Sequence, residues 1–294
     1  MFITHYRKLF IGLSALLVIA GITIVSVKGL DYGIEFTGGS LLEVSYDERP
    51  TLDEIHASLD TIGFSDVVVQ PFGEQSYILK TQPITDAEQQ QIISAMNVDD
   101  REMSIERFNS IGPSVGRELR TKSLYALIAV SLGIVLFVAY AFRHVSKPVS
   151  SWKYGLVAVI ALLHDIIIPI GILTLLGTEI DTLYVVGLLS ILGLSVNDTI
   201  VVFDRIRESL AGNQEKNIKE DFVTTVGNSI NQTIIRSIFT SLTLVVVLLA
   251  LYLKGPAATQ TLSLVLLLGT LVGTYSSIFL ASPLLTLLVG KKKK

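Results

Sequence analysis

The chain has 294 residues, 50% of them hydrophobic and 17% charged, with a mean hydropathy of +0.59, too apolar for a simple water-soluble enzyme of this length. Its 23 Lys and Arg against 26 Asp and Glu leave a formal charge of −3, with no basic excess pointing to nucleic acid; without cysteine it has no disulfide framework, thiol nucleophile or thiolate metal site. The near-neutral total hides a segregation: residues 30–123 hold 17 acidic and 7 basic side chains, a net of −10, and the remainder a net of +7.

A membrane-spanning helix needs about 20 mostly apolar residues, and the first such window is Leu9–Val27. His5-Tyr6-Arg7-Lys8 precedes it, as in a secretory signal. The run is too long for a signal core, however, and ends in Val27-Lys28-Gly29 rather than a small-x-small cleavage site, so residues 1–29 read as a cytoplasmic N-terminus and a retained anchor.

Residues 30–123 form an insert of about 90 residues, the size of a small domain. Ser40–Tyr46 alternates like a strand. Thr51-Leu52-Asp53-Glu54 opens an amphipathic helix with a capping-box pattern and apolar Leu52, Ile55, Leu59 and Ile62, ended by Gly63. Val67–Val69 and Tyr77–Leu79 read as strands around the turn Phe72–Gln75, Thr85-Asp86-Ala87-Glu88 caps a second helix, and Met103–Phe108 alternates again. The order β-α-β-β-α-β predicts an α+β ferredoxin-like domain between the first and second spans.

Residues 124–294 carry five further windows: Leu124–Phe142, Gly155–Leu176, Leu183–Phe203, Ile234–Leu253 and Leu262–Val289, the last long enough to tilt or to break near Pro283. Arg7 and Lys8, then Arg143, Lys147 and Lys153, then Arg205, Arg207, Lys216 and Lys219, and finally Lys291–Lys294 place four segments in the cytoplasm by the positive-inside rule. The two remaining turns hold Glu179 and Asp181, and Lys254. Both termini are then cytoplasmic and the acidic insert extracytoplasmic.

Charges within the spans are few: Asp165 with its neighbour His164 in span three, Asp198 in span four and Arg236 in span five. Each costs ~2.5–3.5 kcal/mol at the membrane centre, which calls for a partner or a purpose. With helix five starting near Ile230, Arg236 lies ~9 Å deep and can meet Asp198. Ser195, Asn197 and Thr199 surround Asp198, while Gln232, Arg236, Thr240 and Thr243 make a polar stripe on one helix face. Gly187 and Ser190 in span four, and Gly269, Gly273 and Ser277 in span six, allow close helix approach. The pattern points to a proton relay; snorkelling of Arg236 and a purely structural Asp198–Arg236 pair are the competing readings. Asp204, Arg205, Arg207 and Glu208 read as a locally paired charge cluster.

Five motifs, in order, resemble those of the SecF family, the smaller partners of SecD in bacterial protein export and relatives of the RND transporters. They are Asp31-Tyr32-Gly33-Ile34-Glu35-Phe36-Thr37-Gly38-Gly39, Ile111-Gly112-Pro113-Ser114-Val115-Gly116, Leu163-His164-Asp165, the run Ser195 to Glu208, and Asn231-Gln232-Thr233-Ile234-Ile235-Arg236-Ser237. Glu35 stands where the family usually has Asp. The resemblance implies six helices of RND type in the cytoplasmic membrane. It also implies an accessory subunit that, with SecD, uses the proton-motive force to draw an exported polypeptide out of the SecYEG channel, working with other accessory translocase subunits. It links Asp198 and Arg236 to proton passage, with a further Asp supplied by SecD, so that the path is completed only in a hetero-complex. Gly38, Gly39, Gly112 and Pro113 become candidate joints of the outer domain, with ordinary turns as the alternative role. No cofactor or metal is expected.

Two other functions compete. A free-standing RND-like exporter of lipids or small molecules needs a second half or a homo-oligomer. An intramembrane aspartyl protease needs Asp165 and Asp198 as an acid–base pair, yet Asp198 sits in Ser-Val-Asn-Asp rather than Gly-x-Gly-Asp. No hydrolase, metalloprotease or ATPase motif occurs.

Overall fold

The computed structural model describes residues 2–65, 67–98, 101–142 and 149–288. Arg143, Lys147 and Lys291–Lys294, which contribute to the orientation expected from sequence, and Val289, the expected end of span six, lie outside the described residues. The chain divides into two compact units, Tyr32–Leu124 and the remainder.

Six helices among the described residues are long and apolar enough to cross a membrane. After a short α1 (Phe2–His5), the first is α2 (Arg7–Lys28). A short α3 (Ile34–Thr37) leads into the inserted unit. Then come β1 (Gly39–Tyr46), α4 (Leu52–Thr61), β2 (Val68–Phe72), β3 (Ser76–Thr81), α5 (Asp86–Met96) and β4 (Met103–Ile111). Strand order is β2-β3-β1-β4 with every pair antiparallel, so β3 separates the two strands joined by α4, the split βαβ arrangement. The register pairs Leu42 with Leu79 and Val44 with Tyr77. One sheet face therefore presents these residues to Ile55 and Leu59 of α4 and Ile92 and Met96 of α5. Both capping boxes form: Thr51 with Glu54, and Thr85 with Glu88. Tyr46 is buried and donates its hydroxyl to the Met96 carbonyl at 2.8 Å, tying β1 to the end of α5. A bulge at Glu43/Val44 interrupts the β1–β4 ladder.

The rest of the bundle comprises α6 (Pro113–Ala141), α7 (Ser151–Leu176), α8 (Thr182–Glu215), α9 (Phe222–Lys254), α10 (Gln260–Tyr275) and α11 (Ser282–Leu288), the last two joined by a π-turn over Ser276–Ala281. Spans three, four and six are 56, 44 and 50% buried over their apolar windows, whereas spans one, two and five are at most 11% buried, which makes α7, α8 and α10 the centre and α9 a rim helix. Glycines set the central contacts. A Cβ at Gly187 would meet Val265 Cγ1 at 2.6 Å and one at Gly273 would meet Ser195 Cβ at 3.2 Å, so α8 and α10 cross where a side chain is missing. The sequence did not flag the α2–α7 crossing, where a Cβ on Gly171 would lie 2.6 Å from the Gly21 Cα.

One expectation changes. Helix α9 starts at Phe222, eight residues before the assumed Ile230, so the depth worked out for Arg236 does not hold; the polar first turns are helical because Asp221 caps them through the Val223 N–H. Span six does break near Pro283, at the π-turn Ser276–Ala281 just ahead of it. The wider turn accommodates a ring that offers no N–H and would clash with the preceding turn.

Candidate functional site

Asp165 is completely buried at the centre of the bundle. His164 Nδ1 lies 2.8 Å from its Oδ1, Ser276 Oγ of the π-turn lies 2.7 Å from its Oδ2, and the Ser195 hydroxyl of α8 donates to the same Oδ2. One carboxyl thus gathers hydrogen-bonding groups from spans three, four and six, the arrangement a buried polar group requires. His164 is 2% exposed, and its Nε2 finds no hydrogen-bond partner among the described residues. Its ring stacks on Tyr275, centroids 6.0 Å apart, and the Tyr275 hydroxyl donates to the Phe10 carbonyl of α2 at 3.3 Å.

Asp198, one turn beyond Ser195 on α8, is half-buried and opens on a cleft of about 100 Å³ between α8, α9 and α10. Ser195, Asn197, Thr240, Ser241, Thr270 and Thr274 supply the rest of its polar lining. The Arg236 charge acts on the carboxylate from α9, whereas the buried Ser237 hydroxyl beside it makes no hydrogen bond among the described residues. No ion pair within 4.0 Å joins Asp198 to Arg236 among the described residues, so the expected close contact is instead a longer-range interaction. Arg236 and Thr240 are exposed on the rim, turned away from the chain's own core.

The supporting residues divide. Ser195 belongs to both Asp165 and the Asp198 cleft. Thr199 is turned to span six, where it bonds Ser277 at 2.9 Å, and Asn197 is exposed. Thr240 donates back to the Arg236 carbonyl at 2.9 Å, and Gln232 accepts from Arg205 Nε at 2.6 Å. The charge cluster ending span four pairs locally as Arg205–Glu208 at 2.6 Å and Arg207–Asp204. Tyr275 and Ser276 are not singled out by the sequence reading; the run Tyr275-Ser276-Ser277 inside an apolar span is the available signal. The two aspartates share no hydrogen bond among the described residues.

At the start of the inserted unit, Gly38 and Gly39 have φ of +83° and +143°, values favouring glycine. Gly38 lies against Pro113, whose Cα would be 2.7 Å from a Cβ there. Arg120 sits over the Tyr32 ring at 4.2 Å. The two linkers of this unit are therefore clasped together. Gly112, by contrast, has open space around it.

Residues 91–291 match the family described as protein export membrane protein SecD/SecF, C-terminal, and residues 23–48 match the SecD/SecF GG motif. The chain is 39% identical over 302 residues to the protein translocase subunit SecF of Thermobaculum terrenum, covering 96% of this chain and 92% of that protein. It is 34% identical to SecF of Escherichia coli O157:H7, with 96 and 86% covered. Among solved structures it resembles SecDF of Thermus thermophilus, described as a translocon-associated membrane protein, with a TM-score of 0.82 and 30% identity. A second SecDF structure, in a super-membrane-facing form, gives 0.68 and 28%. The chain is covered to 97% in both but spans only 38% of each SecDF polypeptide. With a family match running from before span two to the end of the bundle and relatives aligned over nearly their whole length, the chain belongs to the SecD/SecF family of protein export membrane proteins.

Proposed function

We propose that the chain is a non-catalytic, accessory subunit of a Sec protein translocase, paired with a SecD-type subunit, that uses the proton-motive force to support late steps of polypeptide export through a SecYEG-type channel. The observation that carries this reading is the half-built polar path on the rim of the bundle. Asp198 opens on a polar cleft, and Arg236 faces outward from α9 within an apolar span. Leaving such a charge against lipid costs ~2.5–3.5 kcal/mol on insertion scales, and a second subunit covering that face and contributing a carboxylate removes the cost while completing the path. SecDF, in which a region similar to this chain is one part of a longer polypeptide, supports the pairing.

The basic end of α8 with Arg205 and Arg207, and the loop to α9 with Lys216 and Lys219, are cytoplasmic on this reading, as are both termini, and residues 30–123 are extracytoplasmic. Protonating Asp198 removes the negative partner of Arg236 and shifts α8 against α9. The inserted unit receives that shift through its two chain connections. Asp165 and His164 belong to the same coupling unit at the bundle centre.

The test is Asp198→Asn in the assembled complex, reconstituted in proteoliposomes, with export measured with and without an imposed proton gradient. The expected result is loss of the gradient-dependent component with basal export retained; undiminished coupling overturns the assignment. Repeating the measurement with a sodium gradient identifies the coupling ion.

A further inference from the structure

Span six changes helical pitch where it meets the buried carboxylate. π-turns are rare and recur at functional positions, because the extra residue per turn rearranges the carbonyl ladder and re-aims side chains. Here the turn begins at Ser276, whose Oγ lies 2.7 Å from Asp165 Oδ2 and 3.0 Å from the Gly273 carbonyl. A hydroxyl carries one hydrogen and donates to one of these at a time. The Gly273 carbonyl is also where α10 gives way: the Ser276 N–H is directed at it and at Val272, and Ser277 Oγ donates to it at 2.9 Å. Asp165, for its part, holds the Ser195 and Ser276 hydroxyls on Oδ2 and the His164 ring nitrogen on Oδ1.

We infer that Ser276 is a positioning residue that reports the proton load of Asp165 to span six, and that the π-turn Ser276–Ala281 is the element it switches. This rests on the proton-coupling reading and assigns a step within it. A proton given up by the Asp198 carboxyl passes by way of Ser195, whose hydroxyl takes it from the cleft and releases its own hydrogen to Asp165 Oδ2; Asp198 is left as carboxylate, and Oδ2 turns from acceptor to donor. The new O–H donates to Ser276 Oγ, and the Ser276 hydrogen swings to the Gly273 carbonyl. The reverse sequence returns the proton and restores the first arrangement. In the loaded state the Gly273 carbonyl holds a further hydrogen bond, which competes with the backbone N–H groups that choose between π and α pitch. A change of pitch shifts the C-terminal end of span six by one residue, roughly 100° of rotation and 1.5 Å of rise. That end carries the Ser277–Thr199 link to α8 and helix α11, whose Thr286 accepts from Arg7.

The titratable and charged groups around this carboxylate are few. On α7 it is His164, which keeps its bond to Oδ1; from span six Tyr275 stacks on that ring. On α8 Asp198 stands across the shared cleft, with Arg236 of α9 acting on it. Helix α2 has Arg7 and Lys28 engaged toward its ends, by Thr286 and by the Leu175 carbonyl.

The test is a distance. With no native cysteine, Leu287→Cys on α11 and Leu175→Cys at the far end of α7, both exposed, take one pair of spin labels in the assembled complex. The expected result is a distance that shifts between high and low pH, with the shift lost in Ser276→Ala, retained in Ser276→Thr, and replaced by one pH-independent distance in Asp165→Asn. A shift that persists unchanged in Ser276→Ala, or its absence from the parent complex, overturns the inference. Retained proton-coupled export in Asp198→Asn would sink the functional reading instead, and leaves the Ser276 result to stand on the distances alone.

Discussion

Gly116 lies directly against the backbone of Gly38: a Cβ at position 116 would stand 2.9 Å from the Gly38 nitrogen and 3.1 Å from the Phe36 carbonyl carbon. Backbone cannot step aside as a side-chain tip can. Gly116→Ala is expected to cost about 1–3 kcal/mol of local stability by overpacking, and Gly38→Ala more, because its φ of +83° adds strain. Gly112→Ala meets open space and is expected to be silent. Hydrogen exchange over residues 32–39 and 111–120 of the intact protein separates the three; equal exchange in all of them would mean that the linkers are not clasped.

A second glycine tests the bundle centre. Gly187→Ala places a methyl 2.6 Å from Val265 Cγ1, on a β-branched side chain with little freedom to move, whereas Gly193→Ala meets nothing. A loss of about 1–3 kcal/mol is expected for the first and none for the second. Thermal unfolding of the detergent-purified protein gives the comparison, and matching midpoints would contradict the crossing of α8 and α10 at Gly187.

Helix caps in the inserted unit give a cleaner quantity. Thr51→Ala and Thr85→Ala each remove a side-chain acceptor from a helix N-terminus and one half of a capping box, for an expected loss of about 1 kcal/mol each. Glu54 and Glu88 are held below the usual carboxylate range, first by the backbone N–H of their capping threonine. Each variant should bring its glutamate part of the way back, which carboxyl titration by NMR reads directly. Unmoved glutamates would show that the boxes do not form in solution.

The loop joining α8 to α9 is fastened by Glu220, which accepts from Thr225 at 2.6 Å and from Asn213 and Asn228 at 3.0 Å each. The Thr225 hydroxyl foremost, with the two asparagine amides, holds its carboxyl below the ordinary value. The folded pKa is depressed, so the stabilisation is present above the unfolded value, about 4.3, and is lost as pH falls through the folded one. Amide exchange at Ile218 and Thr225 should therefore accelerate on acidification below pH ~4. Glu220→Gln should show a roughly fivefold acceleration already at neutral pH, equivalent to about 1 kcal/mol. A Glu220→Gln profile that overlays the parent would remove the loop's fastening from the account.

Much of the architecture is legible in the sequence because it rests on local rules. The two Thr-x-x-Glu boxes, the alternation of Ser40–Tyr46 and the six apolar runs each depend on neighbours in the chain, and the elements formed agree with them. What escaped depends on contacts between distant residues. Asp165 stands out as a charge where lipid forbids one, yet nothing in its own motif names Ser276, 111 positions away, as its partner. Thr199 looks like a companion of Asp198 because it is adjacent in sequence. Its hydroxyl points to Ser277 because consecutive residues on a helix project about 100° apart. Gly38 reads from sequence only as a permissive joint; its φ of +83° and its packing against Pro113 each favour glycine there, and the second depends on a residue 75 positions away.

Helices α8 and α9 run for 34 and 33 residues, so each is about 50 Å long at 1.5 Å per residue, against a hydrocarbon layer about 30 Å thick. Roughly 20 Å of each rod therefore stands clear of the oily slab. The protruding ends are tied into one stiff hairpin at Glu220, and the same two rods carry Asp198 and Arg236 farther along. The surface loop is thus the tip of a hairpin whose two long arms run back, as unbroken helices, to Asp198 and Arg236.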